Sequence, residues 1–145
     1  MSTSQEASRV SAASLGAWGL PSDPSCARFA RALVDDLLTG LGAQRDTIRD
    51  AKLMASELAT NAYQHATGSI PHELWLDVED GEAIIAIFDA MPPVGEVGDV
   101  TLSGDHGRGL LIVADLSGGR WGLEPAPSRL HPGVQGKAVW FGCAL

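Results

Sequence analysis

The chain has 145 residues, 45% of them hydrophobic, with 10 Lys+Arg against 18 Asp+Glu for a formal net charge of −8. That length predicts one domain, in which folding buries roughly 68% of the surface that the unfolded chain exposes. The acidity excludes nonspecific nucleic-acid binding and a polybasic membrane patch, both of which need clustered Lys and Arg.

Residues 1–14 are Ser/Ala-rich and read as a flexible tail without the apolar core of a signal peptide. No 18-residue apolar run follows, so a cytoplasmic location without a membrane anchor is expected. Cys26 and Cys143 have no metal-ligand spacing, and two reduced thiols are expected over one long-range bridge. Leu15–Leu20 reads as a first strand. Asp23 and Pro24 predict a helix start, as N-cap and first helical residue. The stripe Ala30, Leu33, Val34, Leu37, Leu38 and Leu41 continues that helix until Gly40 and Gly42 end it. A second helix is predicted from about Asp46 to Ala66, burying Ile48, Ala51, Ala55, Leu58 and Ala62 before Gly68 and Pro71 stop it.

The period then changes. Leu74, Leu76 and Val78 alternate with Glu73, Asp77 and Glu79, the pattern of a half-buried strand. Asp80-Gly81 predicts a type I′ hairpin, and Ala83–Phe88 returns as an apolar, central strand. Residues 90–106 lack a period and carry Pro92, Pro93, Gly95, Gly98 and Gly104, the mark of a functional loop. Leu110–Leu116 reads as a short helix stopped by Gly118-Gly119. Arg120–Leu123 and Lys137–Ala144 complete the chain as strands around a Pro-rich loop. This order predicts an α+β fold, a two-layer α/β sandwich with helices on one face of a mixed, mostly antiparallel sheet.

Several familiar motifs fail. The glycines of Gly133-x-x-Gly136-Lys137-Ala138 are too close for a P-loop and no Ser/Thr follows the lysine. Gly107-Arg108-Gly109 lacks the third glycine of a dinucleotide fingerprint, and no Ser-centred nucleophile elbow occurs. The four histidines form no metal-ligand pair at helical spacing. Three features remain. Glu57 and Asn61 are four apart and share a helix face, where a carboxylate and a carboxamide can polarise a hydroxyl and ligate a hard cation. Spacing alone favours a solvated pair on an exposed face. Asp89 ends the most apolar strand, where taken alone it reads first as a residue turning the chain out of the sheet and second as an acceptor for an exocyclic amine. Gly104-Asp105-His106-Gly107-Arg108-Gly109-Leu110 brings glycines and an arginine to a helix start, as a simple junction or as an anion cradle.

Taken in order, these features and the late Gly136-Lys137-x-Val139-Trp140 strand resemble the GHKL (Bergerat-fold) ATP-binding superfamily. Within it, the small anti-sigma-factor serine/threonine kinases of actinobacteria are most similar. The stretches SELATNAYQHA and GRGLLIVADLSGGRWG carry the likeness, which spans 15–145 as one histidine-kinase-like ATP-binding domain. The resemblance implies an ATP-binding regulator that holds a sigma factor and phosphorylates a STAS-type anti-anti-sigma partner, with possible homodimerisation. It implies Glu57 as the catalytic base and Asn61 as the Mg²⁺ holder. Asp89 would read the adenine amino group, and residues 90–106 would form an ATP lid. Gly107, Arg108, Gly109, Leu110, Gly136 and Lys137 would line the nucleotide. Two positions depart from the family pattern. Asp89-Ala90-Met91-Pro92-Pro93 lacks the glycines of the usual box, and Ala138 stands where a Thr is common. Both departures fit the alternative of a non-catalytic nucleotide-binding switch.

Overall fold

The computed structural model describes residues 14–65, 72–90 and 104–145; of the expected tail only Ser14, and of the expected lid only Ala90 and residues 104–106, fall among them. In chain order the elements are β1 (Ser14–Leu20), α1 (Cys26–Gly40), α2 (Arg45–His65), β2 (His72–Glu79), β3 (Glu82–Asp89), α3 (Gly104–Leu116), β4 (Trp121–Pro127) and β5 (Gln135–Ala144). The five strands form one sheet in the order β1-β2-β3-β5-β4. Every pairing in it is antiparallel, so the expected mixed sheet is corrected to an antiparallel one. Two of the four neighbouring pairs, β2–β3 and β4–β5, are consecutive hairpins, a connection that produces antiparallel pairs.

Local chemistry sets the element ends. The Asp23 carboxylate accepts from the Ser25 N–H at 2.8 Å and from its hydroxyl, an Asx turn that delays α1 to Cys26. Ser25, not Asp23, is therefore the N-cap. At the other end Gly42 adopts φ +79°, where a side chain would be strained. Gly42 N–H donates to the Thr39 carbonyl and Ala43 N–H to that of Leu38, both at 3.0 Å, the paired bonds of a Schellman stop. Asp80 and Gly81 at φ 52° and 75° give the two left-handed residues that a type I′ hairpin requires. Pro125 and Pro127 are accommodated because β4 is an edge strand.

The helices cover one face of the sheet. Ala30, Val34 and Leu38 of α1, Ala51, Met54, Leu58 and Ala62 of α2, and Val113 of α3 pack with Leu74, Leu76, Ile85, Ile87 and Phe141. The opposite face buries a smaller cluster of Trp75, Ala86, Phe88, Ala90 and Ala138. This second core corrects the expected half-buried β2, because Glu73 is wholly buried. Its carboxylate accepts from Trp75 Nε1 at 2.8 Å, from the Arg129 backbone N–H at 3.1 Å and from the Ser128 hydroxyl. Arg129 adds a fork to Asp77, at 2.9 and 2.6 Å, and lies 4.4 Å from the Trp75 ring centroid. The segment after β4 thus folds back over β2.

α3 begins at Gly104 rather than Leu110, so the glycine-rich junction forms the first two turns of a helix.

Candidate functional site

Strand register collects polar groups at one end of the helix-facing sheet surface. Asp89 closes β3 and pairs with Lys137 of β5 across the ladder. Lys137 Nζ donates to Asp89 Oδ1 at 2.9 Å, with side-chain exposures of 17% and 9%. Asp89 thus stays in the sheet as half of a nearly buried ion pair.

Gly136 makes this corner possible. A Cβ there would lie 2.0 Å from the Asp89 carbonyl oxygen and 2.6 Å from the Ala90 Cα, both backbone atoms that cannot move aside. Only a residue without a side chain brings β5 this close to the exit of β3.

α2 supplies the layer above. Leu58 and Ala62 anchor it in the core, which leaves Glu57 and Asn61 partly exposed on a shared face. Asn61 sits against α3, where a Cβ on Gly109 would come within 2.8 Å of its Nδ2. The carboxamide therefore occupies the space that the missing side chain leaves. Leu110, the next residue, is 4% exposed and belongs to the core. Gly107 and Arg108 fall in the opening turns of α3, and the Arg108 side chain lies outside the described residues.

The site residues thus divide into an Asn61–Gly109 contact between helices and an Asp89–Lys137–Gly136 corner in the sheet. Glu57 belongs to the helical half through its position one turn before Asn61.

Sequence reasoning missed one member. His72, the first residue of β2, is 3% exposed and carries two ring nitrogens with no hydrogen-bond partner. Glu73 pairs with Phe88, so His72 stands one register step on, beside Asp89. Burial pulls its pKa below 6.5, helped by Lys137 and opposed by Asp89, which keeps the imidazole neutral at pH 7. Extending the Asp80-Gly81 hairpin register by counting would have placed it there.

Among the described residues no group of three or more His, Cys, Asp or Glu could hold a metal ion. Mg²⁺ is usually held by one or two carboxylates with substrate phosphates and water, and Asn61 offers one neutral carboxamide oxygen of the same hard type. The two cysteines are free, and burial raises both thiols to about 11, so they stay protonated at neutral pH. No helix among the described residues is long and apolar enough to cross a membrane.

A concavity of about 740 Å³ lies between α1 and α2, with Arg31, Arg45, Arg49 and Lys52 among its lining residues and Asp35 as its acid. Lys52 is paired to Asp35 at 2.8 Å, and Arg49 contacts Asp46 and Asp50 at its exposed rim. Four of the chain's ten cations thus line one groove.

No family model matches the chain and no curated protein matches its sequence.

Proposed function

We propose that the chain is an ATP-dependent serine/threonine protein kinase of Bergerat type. In this reading it binds and inhibits a sigma factor and phosphorylates a STAS-type anti-anti-sigma partner. The observation that carries the reading is the seat of Asn61 against Gly109, one helical turn after Glu57 and in the layer above the buried Asp89. In this reading Asn61 supplies a carboxamide oxygen for a metal ion, Glu57 a carboxylate for the acceptor proton, and Asp89 a carboxylate for the base.

Glu57 takes the proton of the acceptor hydroxyl as its oxygen attacks the γ-phosphorus. The bond to the β–γ bridging oxygen breaks and ADP leaves with that electron pair. Asn61 offers its oxygen to the Mg²⁺ that accompanies ATP, which when bound neutralises phosphate charge. Gly109 keeps the α3 backbone near enough to that carboxamide to hold it in place. Asp89 accepts from the adenine amino group. No Lys or Arg occurs from Leu53 through Gly107, so backbone N–H groups and the metal carry most of the anion binding. The basic groove between α1 and α2 offers complementary charge to an acidic partner surface.

Transfer from labelled ATP to a STAS-type partner tests the reading. Glu57→Ala should lower the transfer rate at least ~100-fold, the lower end of general-base contributions, while ATP affinity stays within about twofold. Undiminished transfer by that variant would remove Glu57 from its role.

One observation favours a second reading. Lys137 already engages the carboxylate that would read the base. A non-catalytic switch, regulating by partner binding alone, would show complex formation with the partner and no labelled product.

A further inference from the structure

A buried imidazole with neither nitrogen satisfied is uncommon, because a buried polar group left unpaired loses its hydration without compensation. His72 is such a group. Its strand neighbours Leu74 and Leu76 serve the helix-side core at alternate positions, and His72 shares their face. Across the sheet the same row runs Leu20, His72, Asp89, Lys137. A leucine would fill the position, as Leu20 does beside it, without orphaned nitrogens. The row therefore presents a carboxylate acceptor, an ammonium donor and an imidazole within one buried corner.

Neither neighbour accounts for the imidazole. Asp89 is engaged by Lys137 and makes no hydrogen bond to His72. A metal centre is unsupported, because no third ligand joins His72 and Asp89 among the described residues. What remains is a ligand edge that both donates and accepts. A neutral imidazole has one N–H donor and one acceptor nitrogen, and an aminopurine shows an amino donor beside an acceptor ring nitrogen.

We propose that His72 is a base-contacting residue of this site, donating its ring N–H to the purine nitrogen adjacent to the amino group that Asp89 reads. The assignment rests on the ATP reading above and goes beyond it by naming a residue and a base atom. His72 acts in binding alone. The contact satisfies one orphaned nitrogen only when nucleotide is present, so the free protein stores an unmade hydrogen bond that favours the bound state.

The test compares ATP with 1-deaza-ATP, in which that ring nitrogen is a C–H group, by calorimetric titration in Mg²⁺. The wild-type chain should bind ATP about tenfold more tightly, the effect of one buried hydrogen bond. His72→Leu should bring the ratio to about one, chiefly by weakening ATP, and His72→Gln should restore part of the preference. The leucine variant should melt no lower than wild type, since it removes unsatisfied nitrogens from the core. A preference that persists in the leucine variant overturns the assignment, as does a wild-type ratio near one, which needs no variant to read. Failure of the wild-type chain to bind either nucleotide instead overturns the ATP reading, and the assignment with it.

Discussion

At the scale of single residues, His72 shows how a buried group couples the site to stability. Burial holds its folded pKa below the ordinary imidazole value of 6.5, with Lys137 acting in the same direction and Asp89 against it. Below pH 6.5 the unfolded chain therefore binds the proton that the folded chain refuses. The contribution of the neutral imidazole is fully present above that pH and declines as pH falls toward the folded value. The melting temperature should drop between pH 7.5 and 5.5, and His72→Leu should remove part of that drop. An unchanged pH profile in the variant would show that the imidazole does not titrate in this window. Asp23 and Asp35, whose carboxyls are held low by Ser25 and Lys52, act at more acid pH and leave the window clear.

At the scale of elements, two glycines make contacts of opposite character. Gly136 faces backbone, so Gly136→Ala must separate β5 from the end of β3 and disturb the Asp89–Lys137 pair. Overpacking of this kind costs about 1–3 kcal/mol, and a thermal melt should register the loss. Gly109 faces the movable end of Asn61, so Gly109→Ala should leave the melt nearly unchanged and weaken Mg·ATP binding by displacing the carboxamide. Equal stability losses in both variants would contradict the distinction. Such contacts show what the sequence could reveal. The hairpin at Asp80-Gly81, the glycine stop of α1 and the buried stripe of α2 were legible because each depends on neighbours a few positions away. The burial of Glu73 was not, since it comes from Ser128 and Arg129, more than fifty residues later in the chain. The early start of α3 was hidden by glycines, which read locally as a loop, although Gly109 packs against Asn61 of α2. The candidate site was half legible. Glu57, Asn61 and Asp89 announced themselves by spacing and strand position. The pairing of Lys137 with Asp89 was not legible, because it depends on the β3–β5 ladder across 48 residues of chain.

At the scale of the whole molecule, the net charge of −8 is unevenly spread. Ten of the 18 acids lie between Glu57 and Asp105, while four cations line the groove between α1 and α2. The helix-facing corner of the sheet therefore has little positive charge of its own for a triphosphate, and Lys137 is spent on Asp89. An anion site with so few basic side chains depends on a metal ion and on backbone donors at the start of α3. Nucleotide binding should accordingly be metal-dependent to an unusual degree. Calorimetric titration with ATP, run with Mg²⁺ and with a chelator, measures this directly. Saturable one-site binding in Mg²⁺, weakened at least ~10-fold by the chelator and to a similar extent by Asn61→Ala, is the predicted result. Absence of binding in Mg²⁺, or affinity indifferent to both the metal and Asn61, would contradict the account.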